Sequence, residues 1–140
     1  DGSLELQNIQ LLGAELLDNS IPILNWQDDF NLDLEFKVNK PIVMPMFKIV
    51  IYDKEQRPVA MLYPNKANND ITITNNILSF TVTHRSLELS KGLYSISMTV
   101  FKHKSLDTIL GLNHIIQFQV THNKDYYHPF LLSAKYINSK

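Results

Sequence analysis

A strict alternation of apolar and polar residues, repeated in several short runs, is the feature that most constrains the fold of this chain. From Asn31 to Val38, an apolar side chain occupies every second position and a polar one occupies the positions between. This period of two fits a strand with one buried face, because successive side chains of a strand point to opposite faces. The best helical candidates, Arg85–Leu89 and Ser105–Leu110, span at most a turn or two. The sequence therefore predicts an all-β chain.

Seven strands follow from this alternation, with an eighth at the C-terminus. They are Ile9–Leu17, Asn31–Val38, Met46–Asp53, Val59–Tyr63, Ile77–Thr83, Leu93–Phe101, Ile115–Val120 and Phe130–Ile137. Segments rich in asparagine, aspartate, serine and proline separate the runs, at 18–20, 39–41, 53–58, 65–70, 75–76 and 90–92. Short strands at this spacing predict an immunoglobulin-like antiparallel β-sandwich of seven to eight strands.

Composition excludes several classes of protein. The 140 residues include no cysteine, and 13 basic against 14 acidic side chains leave a net charge of −1. A chain of this length buries roughly 70% of its unfolded surface, so the core needs neither a disulfide nor a structural metal. The near-neutral charge argues against nucleic acid, and no apolar run approaches the roughly 20 residues of a membrane-spanning helix. We expect one domain over residues 4–140, with 1–3 as a remnant of an excised boundary.

A tyrosine corner is predicted at the start of the sixth strand. Gly92 lies two residues before Tyr94, which opens the strand. This arrangement resembles the tyrosine corner of immunoglobulin-like sandwiches, in which the ring fills the core and the hydroxyl bonds to the upstream backbone. Tyr94 is therefore assigned a structural role.

Motifs for catalysis or metal binding are missing from the sequence. It has no phosphate-binding loop, no dinucleotide fingerprint, no zinc-protease motif and no cysteine nucleophile. Asp28 and Asp29 are neighbours, and neighbours on an extended chain point to opposite faces, so they cannot flank one glycosidic bond. We interpret them as turn charges. The five histidines never fall at metal-ligand spacings. We expect no enzymatic activity, no metal and no other cofactor.

The outward residues of three strands have the composition of a carbohydrate-binding surface. The strands Met46–Asp53, Leu93–Phe101 and Ile115–Val120 would be neighbours in one sheet of the sandwich. A sugar site needs exposed aromatic rings beside amides, hydroxyls and charged groups. The candidate ligand-binding residues are Lys48, Tyr52, Ser97, Thr99, Phe101, His103, Gln117 and Gln119. The alternative is an ordinary solvated sheet face. Trp26 is interpreted as a core residue, with a stacking platform as its alternative.

Several segments, in order, resemble a known domain family. The most specific are Pro45–Asp53, similar to a Pro-x-Phe-x-x-x-Ile-x-Asp strand, and Leu89–Tyr94, similar to a Leu-x-x-Gly-x-Tyr corner. The other matching segments are Leu16–Ser20, Trp26–Phe36, Leu106–Asp107 and Phe118–Val120. Through these segments the chain, from about Ile9 to Val120, resembles the C-terminal carbohydrate-binding domain of Wzt-type proteins. Those proteins are the nucleotide-binding subunits of bacterial ABC transporters that export O-antigen polysaccharide.

The resemblance implies a function and a set of partners. The expected function is non-catalytic binding of the O-polysaccharide, at its non-reducing end, which couples glycan recognition to export. The implied partners are the transporter's ATPase domain and membrane subunit, at the cytoplasmic face of the inner membrane, without direct membrane insertion. The alternative is an immunoglobulin-like structural or protein-interaction module without sugar binding. The contact residues vary within the family, so none is carried over to this chain.

The C-terminal segment 121–140 is predicted to mediate assembly. Its stretch Tyr126–Leu132 is too apolar to be left in water. Members of the family pair through a C-terminal strand exchanged between subunits, so the resemblance implies a homodimer. The alternative is a tail that folds back on its own sheet. The family also has a glycine after the aspartate of the third strand, where this chain has Glu55–Pro58, so a different turn is expected there.

Overall fold

The computed structural model describes residues 1–17, 21–64, 71–105 and 107–139. The predicted turns at 18–20 and 65–70, and Leu106 of the family-like segment, lie outside these residues. The described part forms nine strands and no helix. The strands are β1 (Leu4–Leu11), β2 (Ile23–Asn25), β3 (Phe30–Val38), β4 (Met46–Asp53), β5 (Pro58–Leu62), β6 (Ile73–Thr74), β7 (Ile77–His84), β8 (Gly92–Phe101) and β9 (Thr108–Thr121).

The strands form two sheets with immunoglobulin topology. Sheet A has the order β1-β3-β7-β6, and sheet B has the order β2-β9-β8-β4-β5. These orders match the ABED and GFC sheets of the immunoglobulin fold, with β5 extending the second sheet. The predicted β-sandwich is therefore confirmed. Two details differ, because the described residues form nine strands and because β2 pairs with β9 in parallel.

The alternation that predicted the strands also forms the core between the sheets. On β3, the side chains of Leu32, Leu34 and Phe36 are fully buried. Lys37, which follows Phe36 and points to the opposite side of the sheet, is exposed. Across the sandwich, the ring of Phe30 lies 5.7 Å from that of Phe118. Each such side chain contributes about 1.5–3 kcal/mol by leaving water. The predicted bounds of β4 are those of the structure.

The first strand was predicted in the wrong place. It runs over Leu4–Leu11, whereas the prediction was Ile9–Leu17. Gln7 is an extra residue against the partner strand, and this β-bulge changes which positions face the core. The alternation of apolar and polar residues before the bulge is therefore out of phase with the alternation after it, which makes the strand hard to recognise in the sequence. Ser3, directly before the strand, is buried.

Neither of the two short helical candidates forms a helix, in agreement with the predicted all-β chain. Arg85–Leu89 is a loop in which Ser86 has a φ of 54° and Leu89 forms an isolated bridge with Phe130. The end of the second candidate, from Thr108, belongs to β9. That strand begins seven residues before the predicted Ile115, because two irregularities interrupt its pairing with β8 and its alternation. The short strands β2 and β6 were missed, since two or three residues carry no period.

The predicted C-terminal strand Phe130–Ile137 is also wrong, since only the single bridge of Phe130 pairs there. The tail instead folds back on the loop before β8. The Ser90 N–H donates to the carbonyl of Pro129 at 3.0 Å, and the Leu131 N–H donates to that of Glu88 at 2.9 Å. Farther along, Tyr136 is 96% exposed and Ile137 is 72% exposed. The last residues therefore leave apolar side chains in water.

The tyrosine corner is confirmed. Tyr94 is 4% exposed, and its hydroxyl donates to the backbone carbonyl of Ser90 at 2.6 Å. Its ring stacks on Phe118 with centroids 5.5 Å apart. Burial raises the pKa of the Tyr94 hydroxyl above its usual value, because the charged form would lose its hydration. The residue therefore joins the start of β8 to the core.

The turn between β4 and β5 forms although it lacks the glycine of the family pattern. Gln56 occupies the left-handed region, with a φ of 67°, which favours glycine. The Asp53 carboxylate accepts the backbone N–H groups of Glu55 and Arg57, each at 3.0 Å, and the Arg57 Nε–H at 2.9 Å. Desolvation raises the pKa of this carboxyl, but the bonds from Arg57 outweigh it and leave the pKa below its usual value. The aspartate thus holds the turn closed.

Candidate functional site

Strand register places the predicted ligand-binding residues of β4, β8 and β9 on one surface. Lys48 lies directly opposite Thr99, and Tyr52 lies opposite Ser95. On its other side, Ser95 pairs with Gln117. Directly opposite residues of neighbouring strands point to the same side of a sheet. We call this side of β4, β8 and β9, which faces away from the core, the outer face of sheet B.

The outer face is long, so not all of its predicted residues meet. Phe101 lies six residues along β8 from Ser95, which corresponds to about 20 Å. Tyr52 and Gln117 are at one end of the face, Lys48 is near the middle, and Phe101 is at the other end. His103 is exposed in the turn after β8 and lies beyond the sheet. Phe101 and His103 therefore form a separate group from Tyr52.

His114 lies on this face and was not predicted. Between the pairs Ile96–Ile116 and Met98–Leu112, β9 has three residues where β8 has only Ser97. His114 is the middle one, with a φ of 49°, and its backbone N–H donates to the Ser97 hydroxyl at 2.9 Å. The bulge leaves the His114 side chain exposed. The only signal in the sequence is the loss of alternation over residues 112–116.

His114 and Tyr52 form an aromatic pair on the outer face. Their ring centroids are 5.4 Å apart, with an interplanar angle of 69°. The Ser95 hydroxyl lies 2.7 Å from His114 Nδ1 and holds the imidazole in place. Ser95 and Ser97 are both buried. The hydroxyl of Ser97 accepts the His114 N–H, so we assign Ser97 to support of the bulge rather than to ligand contact.

Polar groups on the same face as this pair are available to a ligand. Lys48, Gln117 and Gln119 are exposed, and their side chains make no hydrogen bond or ion pair within the described residues. Gly111 lies opposite Thr99, and no atom lies within 4 Å of the position where its side chain would begin. The middle of the face is therefore open. An open surface with an aromatic pair, amides and one ammonium group suits the binding of a polar ligand with apolar patches.

The adjacent carboxylates Asp28 and Asp29 bond to backbone N–H groups. Among the described residues, no three histidine, aspartate or glutamate side chains are grouped so that they could hold a metal. Asp28 accepts the backbone N–H of Asn25 at 2.8 Å, and Asp29 accepts that of Ser86 at 3.0 Å. Asp28 thus closes its own turn, as the interpretation as turn charges predicts, whereas Asp29 joins that turn to the loop after β7.

Trp26 lies at the edge of the core, as the core interpretation predicts. It is half-buried, packs against the core, and donates its Nε1–H to the carbonyl of Leu131 at 3.0 Å. It also forms part of the wall of an open concavity at the end of β9. The local sequence does not reveal the bond to Leu131, because it depends on where the C-terminal segment lies.

Comparison with known proteins identifies a similar fold. No protein-family model matches the chain, and no curated protein is significantly similar to it in sequence. The crystal structure of the C-terminal domain of Wzt is similar to it with a TM-score of 0.75 and 12% sequence identity, over 99% of this chain and 85% of that one. Among the described residues, no helix is long and apolar enough to cross a membrane. At the level of the fold, the similarity confirms the resemblance that the sequence motifs indicated: this chain has the fold of the C-terminal domain of Wzt.

Proposed function

We propose that this chain binds an O-antigen polysaccharide on the outer face of sheet B, at the non-reducing end of the glycan and without catalysing a reaction. Binding would couple recognition of the glycan to its export by an ABC transporter. The observation that carries the proposal is the Tyr52–His114 pair, with Gln117 in register with Tyr52 across β8 and Lys48 farther along β4, on a chain with the fold of the Wzt C-terminal domain.

The chemistry of the face fits a sugar. The apolar C–H face of a sugar ring packs on the aromatic pair, while its hydroxyls bond to the amides of Gln117 and Gln119. The hydrogen bond between Ser95 and His114 already orients the His114 ring, so little side-chain freedom is lost on binding. The face is shallow and open to water, so we expect dissociation constants of roughly micromolar to millimolar. Pairing of two copies would raise the avidity.

Titration with O-polysaccharides from several serotypes, the source strain's own included, tests the proposal. Calorimetry is expected to show saturable binding to the cognate polymer alone. Chemical shifts in NMR spectra are expected to change at Tyr52, His114 and Gln117 and to stay constant at Thr83, an exposed residue of sheet A. Absence of binding to every polymer would contradict the proposal and favour the protein-interaction module.

The proposal extends to assembly and location. The exposed apolar side chains of Tyr136 and Ile137 support a homodimer in which residues 134–139 of each copy are covered by the other. Within the described part of the chain, these residues make no hydrogen bond that would keep them on their own copy. As part of a transporter subunit, the chain would work beside the ATPase domain and the membrane subunit, at the cytoplasmic face of the inner membrane.

Deletion of Ala134–Lys140 is expected to convert the dimer to a monomer. The shortened chain keeps the backbone bonds of Pro129 and Leu131 to the loop before β8, so it should stay folded. Light scattering after size exclusion would give the mass, and circular dichroism would control for folding. A double substitution of Tyr136 and Ile137 by serine should act in the same way. A full-length chain with the mass of one copy, or a deletion variant that stays dimeric, would contradict the prediction.

A further inference from the structure

A second surface with sugar-binding composition lies at the end of β9, apart from the Tyr52–His114 pair. It is an open concavity of about 520 Å³, whose lining residues are Asn25, Trp26, Thr121, His122 and Asn123. With histidine neutral, none of these side chains is charged. Such a lining suits a neutral ligand rich in hydroxyls better than a phosphate or a charged peptide.

The aromatic side of the concavity is held in place before any ligand binds. The bond from Trp26 Nε1–H to the Leu131 carbonyl fixes the indole. The ring of His122 lies 5.1 Å from it, edge to face at 84°. His122 Nδ1 lies 3.0 Å from the backbone N of Lys124 and 3.2 Å from its carbonyl oxygen, so Lys124 holds this side of the ring. Nε2 makes no hydrogen bond within the described residues and is available to a ligand. Tyr126, 46% exposed, adds a third ring 6.5 Å from His122.

One amide on the polar side is also held in place. The Thr121 hydroxyl donates to Asn25 Oδ1 at 2.6 Å, which orients the amide and leaves its NH₂ group as a donor. Asn123 is exposed, and its side chain makes no hydrogen bond within the described part of the chain. Amides beside aromatic rings repeat the composition of the outer face of sheet B.

A continuous polar row joins the two surfaces. Gln117, Gln119 and Thr121 alternate along β9 with the buried Phe118 and Val120, so all three point outward. Thr121 pairs with Asn25 of the parallel strand β2. The row is about 14 Å long at the usual rise of a strand. A glycan lying on the Tyr52–His114 pair can therefore follow β9 into the concavity.

We propose that the Trp26–His122 concavity is a second sugar subsite, which takes a further residue of an oligosaccharide already bound at the Tyr52–His114 pair. This inference rests on the proposed function. Only a glycan long enough to span the Gln117–Thr121 row fills both sites. The subsite therefore makes affinity depend on glycan length, in addition to the identity of the terminal sugar.

The fluorescence of Trp26 tests the subsite directly, because Trp26 is the only tryptophan in the chain. The probes are the O-polysaccharide of the source strain and size-fractionated oligosaccharides prepared from it. Long fragments are expected to change the Trp26 emission saturably. The shortest fragments are expected to shift the NMR signal of His114 and leave the emission unchanged. His122→Ala is expected to weaken binding of long fragments about fivefold to tenfold and to leave short ones unaffected. His84→Ala, at an exposed position of sheet A, is the matched control.

The outcomes separate the subsite from the proposed function. Shifts at His114 without any change in emission, or with full affinity in His122→Ala, would overturn the subsite and leave the outer face as the binding site. An emission change of the same affinity for the shortest and the longest fragments would overturn the dependence on length. No response at either place would overturn both proposals.

Discussion

Replacement of Tyr94 by alanine is expected to lower the free energy of unfolding by about 3–5 kcal/mol, the usual cost of removing a buried aromatic ring. The ring stacks on Phe118 in the core and is 4% exposed, so its removal leaves a cavity. The Ser90 carbonyl also loses the hydroxyl that donates to it at 2.6 Å. A loss of this size is a large part of the stability of a typical domain.

Urea unfolding of the wild type, Tyr94→Ala and Tyr94→Phe would measure this effect and divide it between ring and hydroxyl. Tyr94→Phe keeps the ring and loses only the bond to Ser90, so it should cost about 1–2 kcal/mol. Because Tyr94 points into the core, Tyr94→Phe should bind the glycan with unchanged affinity. An unfolding free energy of Tyr94→Ala within about 1 kcal/mol of the wild type would show that the corner does not stabilise the fold.

Removal of either ring of the Tyr52–His114 pair is expected to weaken glycan binding tenfold or more. Aromatic residues at the centre of a binding surface commonly contribute above 1 kcal/mol, and about 1.4 kcal/mol corresponds to tenfold in affinity. Tyr52→Ala removes the first ring. His114→Asn removes the second and keeps the left-handed backbone, which asparagine tolerates. Gln117→Ala should have a smaller effect, since it removes an exposed amide and no ring.

Calorimetric titration of these variants, beside urea unfolding of each, would test the prediction. Thr83→Ala, an exposed residue on the outer side of sheet A, is the control for the effect of any substitution on a sheet surface. Full affinity in both Tyr52→Ala and His114→Asn would move the site away from the pair. A loss of affinity that is matched by an equal loss of stability would show that the pair serves the fold.

The sequence by itself determined the strands that are regular along their whole length. The bounds of β3 and β4 were predicted to within one residue. In each strand every second residue is apolar, and no extra residue interrupts the pairing of β3 with β7 or of β4 with β8. The structural role of Tyr94 was equally predictable, because the motif is local. Gly92 and Ser90, whose carbonyl accepts the Tyr94 hydroxyl, both lie within four residues of Tyr94 in the chain. The prediction that β4, β8 and β9 share one outer face followed from the strand order of immunoglobulin-like sandwiches, in which these three strands are neighbours in one sheet.

Tertiary structure alone decided the features that depend on a partner strand. The bulges of β1 and β9 exist only relative to β3 and β8, and they shift the alternation, so the sequence placed one strand wrongly and missed His114. Phe130–Ile137 has apolar residues enough for a strand, but only Phe130 meets a partner. A strand is stabilised by hydrogen bonds to its neighbour, and which neighbour is in reach is a property of the folded chain rather than of the local sequence.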